Sequence, residues 1–114
     1  MSTFTQLSEL NQWDEVYSQS KQIPVLVFKH STTCPISANA FAELKRFSET
    51  PAAAGVKIAV VHVREDRAVS NHIADQLQVK HESPQAILLS DGKVLWHDSH
   101  WNITVESLQK AVEQ

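Results

Sequence analysis

One cysteine, Cys34, stands in a chain of 114 residues. No intrachain disulfide can form, and neither a four-cysteine zinc site nor a two-cysteine redox pair can be built within one chain. An apolar core must therefore hold the fold, and a chain of this length can bury one without covalent staples. A composition of 42% hydrophobic and 20% charged residues suits a folded domain, not a disordered tract. No repeat, linker or low-complexity stretch divides the sequence, so residues 1–114 read as a single domain. The net charge of −3 leaves no electrostatic footprint for nucleic acid. The longest apolar run, Ile23 to Phe28, falls far short of the ~20 residues that span a bilayer. No basic region followed by an apolar stretch opens the sequence. The expectation is a cytoplasmic monomer with a reduced thiol and no membrane or nucleic-acid partner.

Hydrophobic spacing orders the elements. Leu7, Leu10, Trp13 and Tyr17 form a helical stripe, with Ser8 as its expected N-cap. Ile23 to Phe28 is short, apolar and rich in branched residues, as in a strand covered on both faces, and Pro24 sits at its start. A polar turn, His30-Ser31-Thr32-Thr33, leads to Cys34-Pro35. Ile36, Ala40, Phe41, Leu44 and Phe47 then mark a second helix that ends before Pro51. Val56 to Val63 reads as a second strand, and Val69, Ile73 and Leu77 as a third helix. Ala86 to Leu89 and Val94 to Trp96 are two further strands. Ser90-Asp91-Gly92 between them is a hairpin turn, because Asp-Gly supplies positive φ angles. Val105, Leu108 and Val112 mark a last helix, capped by Asn102 or Thr104. The order αβαβαββα, with parallel crossovers and a terminal hairpin, predicts an α/β three-layer sandwich on a four-stranded mixed sheet. With a lone cysteine directly after the first strand, that is the layout of the thioredoxin fold.

Cys34 lies at a strand-to-helix transition, and Pro35 favours the first helical position. There the helix dipole and unpaired N–H groups would stabilise a thiolate. Ser37, one turn on, can point its hydroxyl and N–H back at the sulfur. A free cysteine is also commonly buried and inert, but position, proline and serine together favour a reactive thiol. Ser83-Pro84, just before the third strand, is the other half of the constellation. Proline cannot sit mid-strand, and in a thioredoxin-like layout this proline is expected to be cis and to face the cysteine, with Ser83 pairing to an extended substrate.

Thr33-Cys34-Pro35-Ile36-Ser37, the pentapeptide TCPIS, resembles the active-site motif of the monothiol bacilliredoxins, also described as YtxJ-type thioredoxin-like proteins. The resemblance extends over nearly the whole chain, including the Val25–Ser31 strand and turn and the Ser83-Pro84-Gln85 segment. It implies reduction of mixed disulfides between client-protein cysteines and bacillithiol, a low-molecular-weight thiol that acts as co-substrate. Cys34 would be the nucleophile, flanked by Pro35 and Ser37, with Thr33, Ile36, Ser83 and Pro84 on the substrate side. No bound cofactor is implied. With Ser37 in place of a second cysteine, a second small thiol must release Cys34, and a bacillithiol disulfide reductase acts indirectly. The malate carboxylates of bacillithiol would need cations, for which Lys29, Arg64, Lys80 and His81 are available.

Other readings compete. A peroxiredoxin-like thiol peroxidase would carry proline and threonine where this chain has Val27 and Ser31. An iron–sulfur carrier of the monothiol-glutaredoxin type would carry glycine where Pro35 stands. A non-catalytic thioredoxin-like binding module would leave Cys34 unreactive. The six histidines, including His97 and His100, read as surface or packing residues, so no metal site is expected. His30 stands four residues before Cys34, where an imidazolium could support a thiolate. Arg64-Glu65-Asp66-Arg67 reads as a solvated charged turn, and Trp96 and Trp101 as packing residues.

Overall fold

The computed structural model describes residues 4–113. Its elements run β1 (Phe4–Gln6), α1 (Leu10–Gln19), β2 (Val25–His30), α2 (Pro35–Ser48), β3 (Lys57–His62), α3 (Arg67–Leu77), β4 (Gln85–Ser90), β5 (Lys93–Ser99) and α4 (Val105–Val112). Short 3-10 turns at Pro51–Ala53 and His100–Asn102 complete the chain.

The sheet has five strands in the order β1-β3-β2-β4-β5, one more than the four expected. The additional strand, β1, runs parallel to β3 with Phe4 opposite Ile58. Leu7 leaves this strand and is fully buried, so it anchors the entry to α1 and is not part of the helical stripe. Ser8 does not cap the helix. Glu9 is the N-cap residue, and Gln12 Oε1 accepts from the N–H groups of Ser8 and Glu9 and from Ser8 Oγ.

β2 lies at the centre, parallel to β3 and antiparallel to β4. All six of its residues are buried, as a strand covered on both faces requires. Alternation sorts them. Leu26 and Phe28 join Ala40, Leu44 and Phe47 of α2 and Leu108 of α4 on one face. Val25 and Val27 join Trp13 and Val16 of α1 and Val69 and Ile73 of α3 on the other. The β4–β5 turn has positive φ at both central residues, 54° at Asp91 and 74° at Gly92, which matches the strand twist. Thr104, not Asn102, caps α4 by accepting from Ser107 N–H at 3.0 Å. Among the described residues no helix is long and apolar enough to cross a membrane.

Candidate functional site

The site lies at the end of the sheet where β2 stops and β4 begins. Cys34 is the N-cap residue of α2, with Pro35 opening the helix. Ala38 N–H donates to the Cys34 carbonyl at 3.0 Å and Cys34 N–H to the Ser31 carbonyl at 3.3 Å. The thiol is free and partly exposed, and its side chain makes no capping hydrogen bond. Thr33 and Pro35 are exposed and Ile36 partly so, which leaves one apolar-edged surface around the sulfur.

Ser37 departs from its expected orientation. It is fully buried, and its Oγ is turned towards β2. Ser31 N–H donates to it at 2.9 Å, and His30 Nδ1 lies 2.7 Å away. Two polar partners at the end of β2 outcompete a weakly accepting sulfur for the same hydroxyl. His30 is 8% exposed. Its ring stacks on Phe41 with centroids 4.6 Å apart and stands 5.7 Å from the ring of His62. Burial lowers the pKa of His30 below its usual value; His62 and Lys45 add to this, and Glu65 opposes it. This shift disfavours the imidazolium next to a thiolate that its sequence position suggested.

Ser83–Pro84 is a cis bond. Lys29 of β2 pairs with Gln85 of β4, so Pro84 sits at the same end of the sheet as the loop that carries Cys34. Pro84 is buried. Its carbonyl accepts from His100 N–H at 3.0 Å, which brings the β5–α4 connection to the site. Trp101 follows directly and is 64% exposed, so it is not the packing residue expected. Trp96, partly buried against the core, is one.

The turn after β3 is also more than solvated charge. Arg64 Nη1 donates to Thr33 Oγ1 at 3.2 Å, and Thr32 Oγ1 donates to Glu65 Oε2 at 3.2 Å. These residues line a cleft of about 410 Å³ beside the cysteine loop. Arg64 is thus the cation of the expected four that reaches this loop. Lys29 points to the opposite face of the sheet and is fully buried. Its Nζ donates to the Ser70 carbonyl at 3.1 Å and lies 3.2 Å from His81 Nδ1. Lys80 and His81 line a separate groove along α3.

Comparison with known proteins agrees with this geometry. The sequence matches the family described as monothiol bacilliredoxin BrxC over residues 5–108. The chain belongs to the monothiol bacilliredoxin family. A solved structure presented as a candidate oxidoreductase with a thioredoxin fold is 36% identical, with a TM-score of 0.85, covering 97% of this chain and 94% of that one. The thioredoxin of Malassezia sympodialis is 19% identical with a TM-score of 0.78, over 100% of this chain and 91% of that one. Thioredoxin O2 of Arabidopsis thaliana is 16% identical with a TM-score of 0.77, over 99% and 94%. The last two share the thioredoxin fold. Bacilliredoxin membership and that fold together give the chain a thiol redox role.

Proposed function

We propose that the chain is a monothiol thiol–disulfide oxidoreductase that removes bacillithiol from mixed disulfides on protein cysteines. The observation that carries this reading is the composition of the site: one partly exposed thiol at a helix N-terminus, with a buried serine one turn on. Cys34 thiolate attacks the bacillithiol sulfur of a protein–bacillithiol disulfide. The client sulfur leaves as thiolate and takes a proton from solvent, and Cys34 is left in a mixed disulfide with bacillithiol. Ser37 cannot attack that bond. A second bacillithiol thiolate attacks the bacillithiol sulfur, releases Cys34 thiolate and forms bacillithiol disulfide, which a separate reductase recycles.

Three surfaces support the substrate roles. The Ser83 backbone beside the buried Pro84 can pair with an extended client segment. Thr33, Pro35 and Ile36 border the sulfur. Arg64, at the cleft beside Thr33, is the cation placed to meet a carboxylate of the small thiol. A cytoplasmic location suits a thiol that must stay reduced, and the chain works as a monomer with its clients as transient partners. No bound cofactor takes part. The reading is tested with a client protein carrying one bacillithiol mixed disulfide, supplied with bacillithiol and its disulfide reductase. Wild type should restore the client thiol and Cys34→Ser should not. Equal activity of the two proteins, or no activity of either, refutes it.

A further inference from the structure

Ser37 Oγ carries one hydrogen and two lone pairs. Ser31 N–H fills one lone pair, and His30 Nδ1 makes the second contact at 2.7 Å. With the imidazole neutral and its proton on Nε2, Nδ1 accepts. The one hydroxyl hydrogen of Ser37 is then committed to His30 and turned away from Cys34. With the imidazole protonated, Nδ1 donates, both lone pairs are filled, and the hydroxyl hydrogen is free. Ser37 lies one turn along α2 from Cys34, the N-cap residue, and so on the same face of the helix.

We propose that His30 is a positioning residue that directs the Ser37 hydroxyl hydrogen away from Cys34 when neutral and releases it to the Cys34 thiolate when protonated. The inference rests on Cys34 being the reacting thiol of the proposed function. The groups that face His30 are known from each side: His62 on β3, Glu65 in the turn after it, and Lys45 with Phe41 on α2. Burial, His62 and Lys45 lower its titration below the usual 6.5 and Glu65 acts against them, so the exchange of roles falls below the ordinary histidine range. As pH drops through that exchange, a hydrogen bond to the thiolate becomes available as protons begin to compete for the sulfur. Cys34 therefore keeps more of its nucleophilic form under acid conditions than an isolated thiol would. A charge-assisted hydrogen bond of ordinary strength makes this about a tenfold effect.

The test is the rate of Cys34 alkylation by iodoacetamide between about pH 4.5 and 9, which needs no disulfide substrate and so stands apart from the client assay. Wild type, Ser37→Ala and His30→Phe are compared, with circular dichroism confirming each fold. In wild type the acid limb should carry a step, with rates below it about tenfold above the line extrapolated from higher pH. Ser37→Ala should lose the step and follow one unbroken slope, as should His30→Phe if it folds. If the thiol titrates below His30, the same coupling shows as a higher His30 midpoint by NMR in the free protein than after Cys34 is blocked, again absent in Ser37→Ala. A step or midpoint change that survives in Ser37→Ala means that His30 acts by charge alone and overturns the proposal, as does the absence of both signals in wild type.

Discussion

Replacing Lys29 by Met should reverse the sign of its effect on stability as pH rises. Lys29 is fully buried, and desolvation lowers its pKa from 10.5 to about 8. At ~1.4 kcal/mol for each tenfold change in proton affinity, holding the ammonium in the fold costs about 3 kcal/mol. The hydrogen bonds to the Ser70 carbonyl and His81 Nδ1 return about 1 kcal/mol each. A methionine of similar length fills the space without the charge, so at pH 7 the variant should be more stable by about 1 kcal/mol. Between about pH 8 and 10.5 the unfolded chain binds the proton that the folded chain has released. Wild-type stability then rises with pH relative to the variant. Above that window the charge is absent from both states and only the lost hydrogen bonds remain, which leaves the variant about 2 kcal/mol less stable. The two curves should cross near pH 9. Urea unfolding followed by tryptophan fluorescence across pH 7 to 10.5 measures the difference. A difference independent of pH, or a variant already about 2 kcal/mol less stable at pH 7, would refute the argument that an unpaired buried charge sits in this core.

Three further outcomes are expected. Ser37→Cys places a second sulfur one helical turn from Cys34, and mild oxidation should remove two hydrogens from the intact mass; no loss would mean that the two positions cannot meet. Gly92→Ala should destabilise the protein by about 1–2 kcal/mol in urea unfolding, because φ there is +74° and an added Cβ would lie 3.1 Å from Tyr17 Oη; unchanged stability would contradict the turn assignment. Arg64→Ala should raise the KM for bacillithiol more than it lowers kcat, and a pure kcat loss would exclude a binding role.

What the sequence disclosed and what it hid divide along a physical line. The buried strands, the amphipathic helices and the Asp91-Gly92 turn carry their signals locally, in periodicity and in residues suited to special φ angles. Phe4–Gln6 gave no such signal because a three-residue edge strand with one strongly apolar side chain has no period to detect. The stripe from Leu7 to Leu10 then mimicked a helix start. Within the candidate site, the placement of Pro35 in the first turn of α2, and so of Cys34 before it, and of Pro84 before β4 is legible because proline restricts the backbone. The direction of the Ser37 hydroxyl was not, since its partners His30 and Ser31 come from the preceding strand and its end. By sequence alone Lys29 is a cation at a strand end, yet it alternates with Phe28 and His30 and so faces the other side of the sheet. Arg64 and Glu65 looked like ordinary surface charge because their threonine partners are some thirty positions away in the chain.

The central claim is that Cys34 attacks the small-thiol sulfur and takes that thiol onto itself. The direct measurement is intact mass spectrometry of the reduced protein after a single turnover with a client carrying one bacillithiol mixed disulfide and no free bacillithiol. The account predicts that the chain gains the mass of one bacillithiol less two hydrogens, located to Cys34, while the client returns to its unmodified mass. A covalent adduct of chain and client, or an unmodified chain beside a still-modified client, would contradict it.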